Sequence, residues 1–253
     1  MQMKLIGNEV KYCEKHLMNK TVEGNPVKTV VILIKYFFLI KQYSIAQIEK
    51  EIKQFLVDVG VELEHEYLMG LIKSNATPKT TINQLEQIEI THTELNTIRE
   101  LGQTEQQRKI LFTLLCWYKI KVGLGYQADY TVKIDYTHLN AEAHVALTKA
   151  KREEILTYFL ECGLVEFGMG QLAKKIKLNY VADGMVAMTV TEFDCLDVYY
   201  KWWKDDFKGR LVICKECGEL FIAEDKGRTP IQCEECYKRK HQESKNEYLR
   251  NKR

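Results

Sequence analysis

A chain of 253 residues with a hydrophobic fraction of 45% and a charged fraction of 28% has a globular composition, long enough for one large domain or two to three small ones. Its formal net charge of +2 excludes a polycation, so any nucleic-acid surface must be a local patch. Three prolines and fourteen glycines are few turn-breakers in a chain rich in Leu, Ile, Lys and Glu, which favours helix as the dominant element.

The first residues, MQMKLIGNEVKY, lack the charged, apolar, small-residue order of a signal peptide. Residues 26–41 read as a helix, with Asn25 as N-cap and Pro26 at the favoured first position. It is apolar nearly all round (Val30, Val31, Ile34, Phe37, Phe38), which suits the buried centre of a helical domain. The run VKTVVILIKYFFLIK is interrupted by Lys35 and too short to span a bilayer. Ser44 and Gln47 match a capping box, and the helix they open places Ile45, Ile48, Ile52, Phe55 and Leu56 on one stripe. A third helix is expected over Glu64 to Ser74.

Residues 75–90 lose periodicity and gain Thr, Asn and Pro, which marks a domain boundary. Thr91 and Glu94 give a second capping signature. Thr104 to Ile120 predicts a strong helix with Ile110, Leu111, Leu114, Leu115 and Tyr118 inward, followed by a shorter helical piece around His138 to Leu147. Another helix starts at Thr148 and stops at Gly163, where an apolar strand begins. The run KKIKLNYVADGMVAMTVTEF then alternates with period two on both sides of Asp183-Gly184, the signature of a hairpin. Three helices and a hairpin are the order of a winged helix. Cys195 to Lys204 predicts a closing helix.

The last segment carries Cys214-x2-Cys217, fifteen residues, then Cys233-x2-Cys236. Two thiolates three positions apart on a tight knuckle reach one tetrahedral metal at about 2.3 Å, and a second pair completes the site. Gly218 permits the turn. A pair of disulfides and coincidence are the rival readings. Four cysteines leave no ligand position open to water, so one structural Zn2+ is expected and catalysis by it is not. In a segment of about 45 residues the metal must supply much of the folding free energy. The remaining Cys13, Cys116, Cys162 and Cys195 stand alone and read as core packing. An unpaired set of thiols fits the cytoplasm, the expected location, with no membrane partner.

Two basic clusters and a tail suggest DNA. Lys149, Lys151 and Arg152 fall in the first turn of the helix from Thr148, where cations oppose the helix dipole. Such a turn makes sense when the N-terminus of a recognition helix meets phosphate. Lys174, Lys175 and Lys177 would lie on the first wing strand. From Tyr237 to Arg253 there are seven Lys or Arg, led by Lys238, Arg239 and Lys240, against two Glu. Chance clustering in a Lys-rich chain and a merely solvated end are the bland alternatives. No phosphate-binding Gly-rich loop or GxSxG elbow occurs, and the six histidines form no HxxxH or HExxH pair. An enzyme is therefore not expected.

The runs NPVKTVVILIKYFFLIKQYSIAQIEKEIKQFL and ITHTELNTIRELGQTEQQRKILFTLLCWYKI, the GLVEF turn and the final cysteine pairs together resemble a family of phage and mobile-element proteins of low-GC Gram-positive bacteria. That resemblance implies a phage setting. It favours either a DNA-binding factor of replication or transcription, or a small protein that docks on and modulates a host complex.

The expected architecture is mainly α within an α+β chain. A helical domain over 1–80 would serve homodimerisation or a host protein partner. A winged-helix-like domain follows over 88–205. A treble-clef or ribbon zinc finger with a basic C-terminal helix closes the chain over 208–253.

Overall fold

The computed structural model describes residues 6–22, 24–126, 129–168, 175–205, 209–223 and 231–251, without the side chains of 246–251. The chain is mixed α+β, with ten helices and three small sheets among the described residues. It divides into two compact units, residues 1–88 with 119–128, and residues 89–118 with 129–253.

The first unit is helical: α1 (Glu9–Asn19), α2 (Pro26–Leu39), α3 (Ile45–Val59) and α4 (His65–Asn75). The Asn25 side chain accepts from Val27 N and Pro26 opens α2, as the sequence predicts. Helix α2 packs against α1, α3 and α4, and Val30, Leu33 and Ile34 are fully buried. An amphipathic stripe would not suffice for a helix with three neighbours, which explains its near-uniform apolar character. Ser44 and Gln47 form the capping box of α3. Ile45 is 44% exposed, a departure from the expected stripe, because it occupies the first turn where α3 has not yet entered the core.

Glu9 anchors the return of the chain after α4. Its carboxylate is buried, receives Lys35 Nζ at 3.1 Å and accepts from Asn83 N at 2.9 Å. Asn8 bridges to Gln84, and Leu85 N donates to Gly7 O at 3.0 Å. Helix α1 had no strong sequence signal, being mostly polar with only Tyr12 and Cys13 among its buried apolar residues.

The second unit contains β1 (Ile88–Thr91), α5 (His92–Leu101), the start of α6 (Glu105–Gly123), β2 (Thr131–Lys133), α7 (Tyr136–Glu142), α8 (Lys149–Glu161), β3 (Val165–Phe167), β4 (Lys175–Leu178), β5 (Val186–Val190) and α9 (Leu196–Lys204). The short strands β6 (Arg210–Ile213) and β7 (Leu220–Ala223) and the helix α10 (Glu234–Asn251) complete it. Strands β2, β4 and β3 form one antiparallel sheet in that order. Val132, Val165, Ile176 and Leu178 are its buried residues. Lys133 faces Lys175 across it, and Glu166 faces Lys177. Phe112 of α6 packs with Tyr200 and Trp203 of α9, at ring-centroid distances of 5.9 and 6.2 Å.

The hairpin expected at Asp183-Gly184 does not form. Strand β4 pairs with β2 and β3, whereas β5 pairs with β1. The backbone around Asp183-Gly184 is occupied by the N-terminus of α5 instead. Ala182 N donates to Glu94 Oε1 at 3.2 Å, Thr91 Oγ1 donates to Ala182 O, and His92 N donates to Met185 O at 3.0 Å. With those groups engaged, the two strands have no ladder to share. The antiparallel hairpin of this region is β3–β4, so Lys175 and Lys177 lie on its second strand, not its first.

Gly209 precedes β6 with φ +82°, and a Cβ there would stand 2.6 Å from Ala223 O. Replacing it with Ala combines left-handed strain with a backbone clash, and should cost about 1–3 kcal/mol. Thermal unfolding followed by Trp fluorescence checks this, since Trp202 Nε1 donates to Gly209 O at 3.2 Å.

Candidate metal centre

The short strands β6 and β7 pair antiparallel from Arg210–Ala223 to Ile213–Leu220, and the first cysteine pair occupies the turn between them. Cys214 N donates to Glu219 O at 2.8 Å and Gly218 N to Cys214 O at 2.9 Å. Gly218 takes φ +71°, the left-handed step that closes this knuckle without a Cβ penalty. The second pair straddles the start of α10: Cys233 precedes it and Cys236 lies in its first turn. Lys215 N donates to Ile231 O at 3.0 Å, joining the two halves through backbone.

The four sulfurs lie within 4.8 Å of one another, and Cys217 Sγ and Cys233 Sγ are 3.8 Å apart. Bonds of about 2.3 Å to a tetrahedral ion give a sulfur–sulfur edge of about 3.8 Å. The cluster thus has the dimensions of one metal site. Cys214 and Cys236 are buried, and Cys217 and Cys233 half-buried. Burial pushes the Cys214 thiol up, but backbone N–H groups of Cys233, Cys217 and Glu216 outweigh it and bring it down to about 6. Burial holds the Cys217 and Cys236 thiols above their ordinary value. Backbone donors around one sulfur stabilise its anionic form before any ion binds.

The cationic candidates occupy three separate elements. On α8, Lys149 and Lys151 are exposed in the first turn and pair with Glu153 at 3.8 Å and Glu154 at 2.7 Å. Arg152 is half-buried with its guanidinium 4.3 Å from the Tyr136 ring centroid, so part of its role is packing α8 on α7. On β4, Lys177 pairs with Glu166 at 3.1 Å. Lys175 sits opposite Lys133, and neither has an ion-pair partner among the described residues. Lys174 lies outside the described residues. On α10, Lys238 pairs with Glu234, Arg239 Nη2 reaches Cys236 Sγ at 3.6 Å, and Lys240 Nζ reaches Glu216 Oε1 at 2.6 Å.

Lys133 and Glu216 escaped the sequence reading. Strand β2 is three residues long, so nothing local links Lys133 to a strand more than forty residues downstream. Glu216 was visible inside the first cysteine pair, but only folding brings Lys240 to it. Of the four lone cysteines, Cys13 and Cys116 are buried and Cys195 half-buried, whereas Cys162 is exposed because it caps the C-terminus of α8.

No family model, curated protein or solved structure matches this chain.

Proposed function

We propose that the chain is a non-catalytic DNA-binding protein acting in transcription regulation or replication, within the phage or mobile-element setting that its sequence resembles. The observation that carries this reading is the order α6, β2, α7, α8, β3, β4 with the sheet arranged β2–β4–β3. That order is compatible with a winged helix, and on this reading α8 would be the recognition helix.

The first turn of α8 supports the assignment. Lys149 and Lys151 stand where the helix dipole favours acids, and their partners Glu153 and Glu154 are exposed. Surface pairs of this kind are weak and salt-screened, so a phosphate can displace the carboxylates. Beyond the first turn α8 exposes Glu153, Glu154 and Glu161, so contact would be made end-on, by its N-terminal residues. The Lys133–Lys175 pair adds a second cationic spot on the β2–β4 ladder.

The metal of this reading is one structural Zn2+. Four thiolates of this spacing suit a soft-ligand tetrahedral ion, and no position is left for substrate. A knuckle whose partner ligands open a helix is the treble-clef arrangement, and zinc there would hold α10 to the β6–β7 hairpin. The helical N-terminal unit would serve self-association or docking on a host protein.

Binding of the zinc-loaded protein to a mixed-sequence duplex of about 30 base pairs over a salt series tests the proposal. A log–log slope of magnitude about 4 or more is expected. The double variant Lys149→Glu, Lys151→Glu should lose at least about tenfold in affinity and about two units of slope, with its fold intact. Arg152 is left in place because Tyr136 depends on it. Absence of binding at low salt would sink the DNA reading.

A protein–protein module is the second reading. The acidic flank of α8 and the 47% exposed Leu160 on the same helix favour it. It predicts that the lysine reversals leave function unchanged while Leu160→Asp abolishes it.

A further inference from the structure

Glu216 lies between the two ligands of the first cysteine pair. Its Oε1 accepts from Lys240 Nζ at 2.6 Å and from Gln232 Nε2 at 2.9 Å. Gln232 directly precedes Cys233, and Lys240 follows Cys236 by one helical turn. One carboxylate oxygen therefore ties the knuckle to both segments that carry the second cysteine pair.

Arg239 acts at a different point. Its Nη2 stands 3.6 Å from Cys236 Sγ, a sulfur whose residue is 3% exposed. Four thiolates around a divalent ion keep a formal charge of about −2, and a half-buried anion of that size needs donors or a cation beside it. Backbone N–H groups serve Cys214, with Cys233 N at 3.3 Å from its sulfur. At Cys236 the guanidinium provides the cation.

We propose that Arg239 and Lys240 are outer-sphere positioning residues of the metal site, Arg239 neutralising the tetrathiolate at Cys236 and Lys240 clamping Glu216 so that both cysteine pairs face one ion. The inference rests on the metal reading above. It removes these two cations from the phosphate-binding surface, leaving Lys238 and Lys245 as the lysines of α10 with described side chains that remain for a polyanion. The same basic run thus divides by helical position. Arg239 and Lys240, one turn from Cys236, serve the metal, whereas Lys238 pairs with Glu234 instead.

The test uses the full chain and its Arg239→Gln, Arg239→Lys and Glu216→Gln variants, with Trp fluorescence to confirm that each folds. Zn2+ affinity is read by competition with a chromophoric chelator, and site geometry by the thiolate-to-cobalt and d–d absorption of the Co2+ form. Arg239→Gln and Glu216→Gln should weaken metal binding about 10–100-fold. Arg239→Lys should recover most of the loss, which a merely packing role would not produce. The salt slope of duplex binding by zinc-saturated Arg239→Gln should match wild type. Unchanged metal affinity in Arg239→Gln, with a slope lower by about one unit, would overturn the inference and return Arg239 to phosphate. A wild-type chain that takes up cobalt without a four-thiolate spectrum would overturn the metal reading itself, and this inference with it.

Discussion

Stripping the metal from the chain should melt the segment from Gly209 onward and leave the helical N-terminal unit folded. The reason is the scarcity of core in that segment. Among its described residues, Leu220, Ala223 and two of the cysteines themselves are the buried apolar groups. Its strands are four residues each, and a lone two-stranded hairpin is marginal in water. Along α10 only Cys236 is buried among the described side chains, so the helix has almost no apolar face to hold it. Apparent metal-binding free energies of about 10–16 kcal/mol in small thiolate sites are enough to supply what packing does not. A chelator, or Cys233→Ser, should therefore remove helical circular dichroism worth about one long helix and expose the C-terminal residues to protease, with Zn2+ reversing the chelator effect. Full helicity and protease resistance after chelation would show that the ion has no structural role.

Glu94→Ala should cost the second unit at least about 3 kcal/mol. The Glu94 side chain is fully buried, accepting from Thr91 N at 2.8 Å and from Ala182 N at 3.2 Å. Its carboxylate caps α5 and at the same time fastens the segment leading into β5, 88 positions away in sequence. Each hydrogen bond to a charged group contributes roughly 1.5–3 kcal/mol, and alanine leaves both donors orphaned. All three tryptophans, Trp117, Trp202 and Trp203, belong to this unit, so fluorescence isolates its transition. For a unit of this size the midpoint should fall by roughly 6–12 °C. Glu94→Gln keeps an acceptor oxygen and should lose less. A midpoint that barely moves would mean that water takes over the two donors.

Helix starts were the most legible part of this chain, because a cap is a local device. Asn25-Pro26, Ser44 with Gln47, Thr91 with Glu94, and Thr148 each satisfy nearby N–H groups with residues at most three positions away. The cysteine pairs were legible for the same reason, as their ligand geometry is set within four residues. Strand pairing was not. The alternation in KIKL and VAMTV signals strands, but β4 finds β2 and β3, and β5 finds β1 nearly a hundred residues upstream. The competing claim of Glu94 and Thr91 on residue 182 could not be read from either strand alone. The cations were legible as residues and illegible as roles, since Arg152 lies on an aromatic ring and Arg239 against a sulfur.

The connection between Cys217 and Cys233 has a topological consequence. Once an ion bridges those two sulfurs, the fifteen residues between them become a closed ring, held by coordination bonds as a disulfide would hold one. Because the ion binds as the segment folds, closing that ring costs chain entropy that coordination must offset. Doubling the ring would cost the folded form only about 0.6 kcal/mol more. Extra residues inserted between Ala223 and Ile231 should therefore be tolerated, whereas one inserted within β7 or within either cysteine pair should not.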